Sequence, residues 1–248
     1  SFDAVPRIAL GPWLSVISEP LKKAGCDSLL ERVEKAYEPL VGSGLATRTQ
    51  GYHHASLRYD GELLFIDRAE QEKKKLEKII ASAKSGDVSE DESALRDLDT
   101  FRGALRDLRG KLRELKLPDR PFPYVGMLLG DGDGMGKFLA HCASPDEHRA
   151  VSRALAAFAK AAPAIARRHQ GMCVYSGGDD VLAFVPVQSA VECARELREA
   201  FVGFVAQSQD VKNICNQNPG LPAPSLTLGL GIQHVIEHLG SAADKIGV

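Results

Sequence analysis

Two short runs of this 248-residue chain put carboxylates where chemistry can use them. One is CVYSGGDDVLAFVP, residues 173–186, in which Gly177, Gly178, Asp179 and Asp180 stand between two apolar runs. The other is LLGDGDGMGK, residues 128–137, in which Asp131 closes an apolar run and Gly132, Gly134 and Gly136 follow it. Gly-Gly and Gly-Asp favour tight hairpin turns, so turn chemistry alone accounts for the first run. Three or four carboxylates at one spot repel one another unless a cation is present. An all-oxygen site suits Mg²⁺ or Mn²⁺, completed by water and substrate phosphates. The glycines let backbone amides approach a phosphate, and Lys137 adds a positive charge nearby. Together these features describe a nucleoside-triphosphate site with two metals. An EF-hand loop is excluded, because its twelfth position counted from Asp131 is Cys142 and not Glu.

The elements around these runs decide whether the carboxylates meet. YVGMLLG, 124–130, reads as a buried strand. Ser144, Pro145 and Glu147 form the start of a helix that runs to about His169. MCVYS and VLAFVP are strands on either side of the GGDD turn, SAVECARELREAFVGFVAQS is an amphipathic helix, and SLTLGLGIQHV is a last strand. The order strand-helix-strand-strand-helix-strand predicts an α+β, ferredoxin-like (βαββαβ) domain. Right-handed crossovers then set the first and third strands side by side and antiparallel. The first strand ends at Asp131 and the third begins beside Asp179 and Asp180, so the topology brings the two clusters to one edge.

Upstream the pattern is mainly helical. PRIALGPWLSVISEPL is apolar but carries three prolines, and SLLERVEKAYEPL has Ser28 and Glu31 spaced as a capping box. Residues 41–60 read as loop and GELLFIDR as a short strand. Residues 69–85 form a charged helix, followed by a polar break. Leu98, Phe101, Leu105, Leu108, Leu112 and Leu115 then make a heptad-like seam, and the two helices are expected to pair as an antiparallel hairpin. LPDRPFP at 117–123 marks a boundary between a helical region, 1–119, and the second domain, 120–248.

A formal net charge of −2 shows no global basic excess, and no apolar run is long enough to span a bilayer. Five scattered cysteines, with no C-x-x-C pair, indicate neither a disulfide framework nor a zinc site; a reducing cytoplasm is the expected compartment. The chain is expected to be part of a longer polypeptide. His234 and His238 are read as structural or as neighbours of a nucleotide, and His53 and His54 carry no assignable role.

Four blocks, YVGMLLGDGDGMGKFL, HRAVSRALAAFAK, VYSGGDDVLAFVPV and LTLGLGIQHVIEHLG, together resemble the second palm domain of the large subunit of type III CRISPR effector complexes, most closely the Cmr-type (III-B) form. The resemblance covers about residues 120–248. It implies a palm that uses ATP and Mg²⁺ or Mn²⁺ to make cyclic oligoadenylate, in an assembly with other effector subunits, guide RNA and target RNA. It implies that Asp179, Asp180 and Asp131 are catalytic and hold metal, with the Gly132 carbonyl as a further ligand. It also implies that Gly177, Gly178, Gly132, Ser176 and Lys137 border the nucleotide. Asp133 belongs to the motif without being expected to bind metal. The His-Asp dipeptide of a nuclease domain, a four-cysteine zinc set and a first palm are absent from this sequence.

Diguanylate cyclases share a GGDEF-type palm, but Val181 and Leu182 replace the usual Glu-Phe continuation. A nucleotide-binding scaffold without turnover is the non-enzymatic alternative. A ferredoxin-like RNA-binding module ranks below both, because the strands lack paired exposed aromatics.

Overall fold

The computed structural model describes residues 5–49, 57–65, 68–83 and 88–235. The chain divides into two compact units, Ser1–Pro123 with His234–Val248, and Tyr124–Gln233. His53, His54 and His238 lie outside the described residues.

The first unit is built from helices α1 (Val5–Lys23), α2 (Ser28–Gly42), α3 (Arg68–Ser82) and α4 (Ser89–Glu114). The predicted seam is the core of α4: Leu98, Phe101, Leu105, Leu108 and Leu112 are all buried. Tyr37 of α2 stacks on Tyr59 at 4.9 Å and meets Phe101 edge-on at 4.7 Å. Glu70 pairs with Arg102, and Lys73 with Asp99, so α3 and α4 run antiparallel as expected. The prolines of the first apolar run do not stop α1, which carries Pro12 and Pro20 inside it and buries Trp13, Ile17 and Leu21.

Two local expectations in this unit are corrected. GELLFIDR is not a strand over its described part, but a 3₁₀ turn at Glu62–Leu64 entered through left-handed Gly61. Leu63, Leu64 and Phe65 are buried in succession, whereas a half-buried strand would alternate. Ser28 does not cap α2 through a capping box. Asp27 is the N-cap and uses no side-chain bond, because turn carbonyls at Cys26 and Asp27 already take the amides of Leu29 and Leu30.

The second unit carries strands β1 (Tyr124–Asp133), β2 (Met172–Gly177), β3 (Asp180–Pro186) and β4 (Ser225–His234) in the order β2-β3-β1-β4. That is the ferredoxin-like order, with the first and third strands adjacent and antiparallel at the centre. Leu128 of β1, Val181, Ala183 and Val185 of β3, and Leu226 of β4 share one buried cluster with Phe158 of α6 (Pro145–Arg168) and with Leu197 and Phe201 of α7 (Ala190–Phe201). The alternate residues face away from these helices. Leu129 and Tyr175 are 53% and 55% exposed, and Asp131 and Asp180 are also exposed.

Ser144 caps α6 by accepting the Glu147 amide, while Glu147 reaches back to the amide of Ala143, one residue before the cap. Ser144→Ala is expected to cost about 1 kcal/mol, read as a lowered thermal midpoint. Two helices escape the sequence pattern, α5 (Met135–Ala140) inside the glycine-rich run and α8 (Gln209–Gln217), capped by Ser208. The predicted single helix from Ser189 onward ends at Phe201, where a π-helical turn, Val202–Ala206, leads to α8. No helix among the described residues is long and apolar enough to cross a membrane.

Candidate active site

The tip of the β2–β3 hairpin is a two-residue turn, with Gly177 paired to Asp180 across it. Gly178 has φ +63°, as the first position of a II′ turn requires, and a Cβ there would meet nothing within 4 Å. The β1–β3 register runs from Val125 opposite Pro186 to Gly130 opposite Val181. One further step of that register sets Asp131 level with Asp180 and Gly132 level with Asp179.

The side chains bear this out. Asp131 and Asp180 lie within hydrogen-bonding reach of one another. Desolvation, then the charge of Asp179, then the hydrogen bond and charge of Asp131 raise the Asp180 carboxyl above its ordinary range. Two facing carboxylates of this kind bind either a proton or a cation. Their all-oxygen donor set fits Mg²⁺ or Mn²⁺. Asp179 packs on Gly132: a Cβ at Gly132 would stand 2.4 Å from Asp179 Cβ and 2.8 Å from its Oδ2. The bare glycine is what lets the end of β1 close on the hairpin tip. Among the described residues no three His, Cys, Asp or Glu side chains gather as a metal group. The carboxylates brought face to face are therefore the pair Asp131 and Asp180, with Asp179 seated beside them against the backbone.

With this geometry in place, the comparison with known families is decisive. Residues 124–247, half of the chain, match the family model described as Cas10/Cmr2, second palm domain. The chain belongs to the Cas10/Cmr2 family. The CRISPR system Cmr subunit Cmr2 of Pyrococcus furiosus is 31% identical over 150 residues, covering 50% of this chain and 16% of the relative. The Cmr2 subunit of Saccharolobus solfataricus is 28% identical over 106 residues, covering 39% of this chain and 10% of the relative. The matched parts thus span less than a fifth of either relative. Among solved structures, the diguanylate cyclase SiaD from Pseudomonas aeruginosa, in complex with its activator SiaC, overlaps 97% of this chain and 89% of its own at 12% identity, with a TM-score of 0.35. Overlap at that level adds nothing to the topology read from the strands themselves.

Other residues of this Cas10/Cmr2 palm divide clearly. Ser176 donates its hydroxyl to the Ala159 carbonyl of α6 at 3.0 Å, so it anchors the hairpin from the helical side and stands apart from the carboxylate pair. Lys137 is exposed on α5 and lines a cavity of about 660 Å³ with Asp133, Phe138, His141 and the Asn218–Leu221 segment; Asp131 and Asp180 are not among its walls. Asp133 is tied to the neighbouring strand, its Oδ2 accepting from Ser225 Oγ at 3.0 Å and Thr227 Oγ1 at 2.5 Å.

Those two hydroxyls are the part of the site that sequence reasoning missed. The available signal was S-x-T at the start of β4, two residues sharing one strand face beside the strand that carries the aspartates. Asp133 is accordingly a strand tie. Asp133→Asn keeps an acceptor and is expected to hold nucleotidyl transfer within about threefold of wild type, whereas Asp133→Ala is expected to lower the thermal midpoint by loosening β4 from β1. Parallel melting and turnover measurements check both.

Proposed function

We propose that this palm transfers nucleotidyl groups from ATP and joins adenylates into cyclic oligoadenylate, releasing pyrophosphate. The observation that carries the reading is the meeting of Asp131 and Asp180 at the end of β1 and the hairpin tip of a Cas10/Cmr2 palm. Asp131 and Asp180 are the residues to hold Mg²⁺ or Mn²⁺, with Asp179 and the Gly132 carbonyl next to them. When bound, the metal supplies charge neutralisation for the phosphates and acidifies the attacking hydroxyl. The chain's own part is positional. Gly132 packs tightly enough to fix Asp179, and Gly178 leaves open space above the tip. Ser176 pins the hairpin to α6, so the carboxylates keep their separation. Lys137, on α5, is the residue assigned to the phosphate tail of the nucleotide.

The curated relatives are named as subunits of the CRISPR Cmr system. We extend that to this chain: it works beside other type III subunits, with guide RNA and target RNA as partners, in the cytoplasm. The test is to incubate the assembled complex with target RNA, Mg²⁺ or Mn²⁺, and labelled ATP or GTP in parallel. Cyclic adenylate products from ATP are the expected result. Products from GTP alone would replace the substrate, and absence of any product with both nucleotides would leave a binding scaffold.

A further inference from the structure

A separate feature of the helical unit is a cavity of about 460 Å³ whose walls include Arg102, Arg106, Arg109, Arg113 and Arg120. That volume falls within the range of about 300–1,000 Å³ typical of small-molecule sites. Four of the arginines lie on α4 at intervals of four, three and four residues, which places them in one stripe along the helix. Each follows a residue of the buried seam (Phe101, Leu105, Leu108, Leu112), so the stripe is carried on the flank of a rigid, packed helix.

The charge balance is one-sided. Among the described residues, five guanidinium groups line the cavity against two carboxylates, Glu70 and Asp99. Both carboxylates pair with Arg102, at the end of the stripe nearest the start of α4. At the other end Arg113 and Arg120 share one carboxylate, Asp119, at 2.9 and 3.9 Å. Between them Arg109 donates Nη2 to the Leu64 carbonyl at 2.9 Å, which fixes its guanidinium at the wall. Arg106 is exposed and has no carboxylate partner among the described residues; its Nη2 lies over Gly103, where a Cβ would touch it at 4.0 Å. So much like charge in one hollow is unfavourable unless an anion offsets it. Planar guanidinium forks suit phosphate oxygens, two at a time.

We propose that this cavity binds a compact polyphosphate, a ligand with two or more linked phosphates that sit over Arg106, Arg109, Arg113 and Arg120. The carboxylates of Glu70 and Asp99 close the Arg102 end, where a nucleic-acid backbone running onward would meet negative charge. Phe65, the one aromatic among the described wall residues, is fully buried and offers no face for a base to stack on. Recognition is therefore of phosphates, and the attached base does not matter.

The site is independent of the palm chemistry, and its test uses neither metal nor turnover. Inorganic tripolyphosphate, ATP and GTP are titrated calorimetrically into the 248-residue chain in EDTA, with a single-stranded oligonucleotide as a further arm. All three polyphosphates are expected to bind saturably, with similar affinity and a steep dependence on salt. Arg106→Glu should weaken tripolyphosphate at least about tenfold, the loss of one charge-assisted contact. Arg106→Gln, which cannot add repulsion, should weaken it less, and circular dichroism should show both variants folded. Asp131→Ala/Asp180→Ala should bind tripolyphosphate as wild type does. No binding, binding indifferent to both Arg106 variants, or binding lost with the palm aspartates would overturn the proposal. Tighter binding of the oligonucleotide than of tripolyphosphate would also overturn it, in favour of a strand.

Discussion

Asp180→Ala is expected to lower the nucleotidyl transfer proposed for this palm by about a hundredfold or more, the scale on which removing one preorganised electrostatic group acts at a reacting centre. The reason lies in the facing pair. Asp180 and Asp131 are held within hydrogen-bonding reach by adjacent antiparallel strands, and the second aspartate of the tip adds its charge. Removing one partner breaks the facing pair and takes away one of the two opposed carboxylates that a divalent cation would bridge. Asp180→Asn should lose activity to a similar degree while keeping the shape of the turn.

Stability should move the other way. The folded state raises the Asp180 pKa, so the metal-free protein loses stability as pH rises from the ordinary carboxylate range through that raised value. The Asn variant lacks this loss, and above that range it should melt no lower than wild type. Pyrophosphate release and thermal melts across pH measure the two effects. An Asp180→Asn protein that turns over at the wild-type rate contradicts the assignment.

Gly132→Ala is the second large effect. The added methyl would stand 2.4 Å from Asp179 Cβ and 2.9 Å from Met135 Cγ. A Cβ cannot swing away as a side-chain end can, so either β1 or the hairpin tip must move. Overpacking of this kind costs about 1–3 kcal/mol. A displacement of about 1 Å at the carboxylates is enough to cost up to a hundredfold in rate. Gly136→Ala is the matched control in the same glycine-rich run: it has ordinary φ and nothing within 4 Å, and it should leave both melting and turnover unchanged. Gly177→Ala is a milder case than Gly132→Ala, because the atom it meets is the flexible Tyr175 hydroxyl end at 2.6 Å.

The parts of this molecule that were legible in the sequence are those fixed by long periodic patterns. The α4 seam reads directly from the spacing of Leu98, Phe101, Leu105, Leu108 and Leu112, because one apolar stripe must face one core. The order of strands and helices after Pro123 is enough to set β1 beside β3, and with it Asp131 beside Asp180. Short elements were not legible. Helix α5 has six residues, one of them glycine, too few for periodicity to show. Leu63–Phe65 has the composition of a strand, but here all three side chains reach the core from a 3₁₀ turn. The ties of Ser176 to α6, and of Asp133 to Ser225 and Thr227, depend on which strand neighbours which and on side-chain direction. Residue types alone carry neither.

The central claim is that Asp131 and Asp180 form the metal-holding pair of the palm, with Asp133 a strand tie. Electron paramagnetic resonance of Mn²⁺ titrated into the nucleotide-free chain tests it most directly. Wild type and Asp133→Asn are predicted to take up Mn²⁺, and Asp131→Ala and Asp180→Ala to leave it free in solution. Undiminished Mn²⁺ uptake by Asp131→Ala and Asp180→Ala, or its loss in Asp133→Asn alone, would contradict the account.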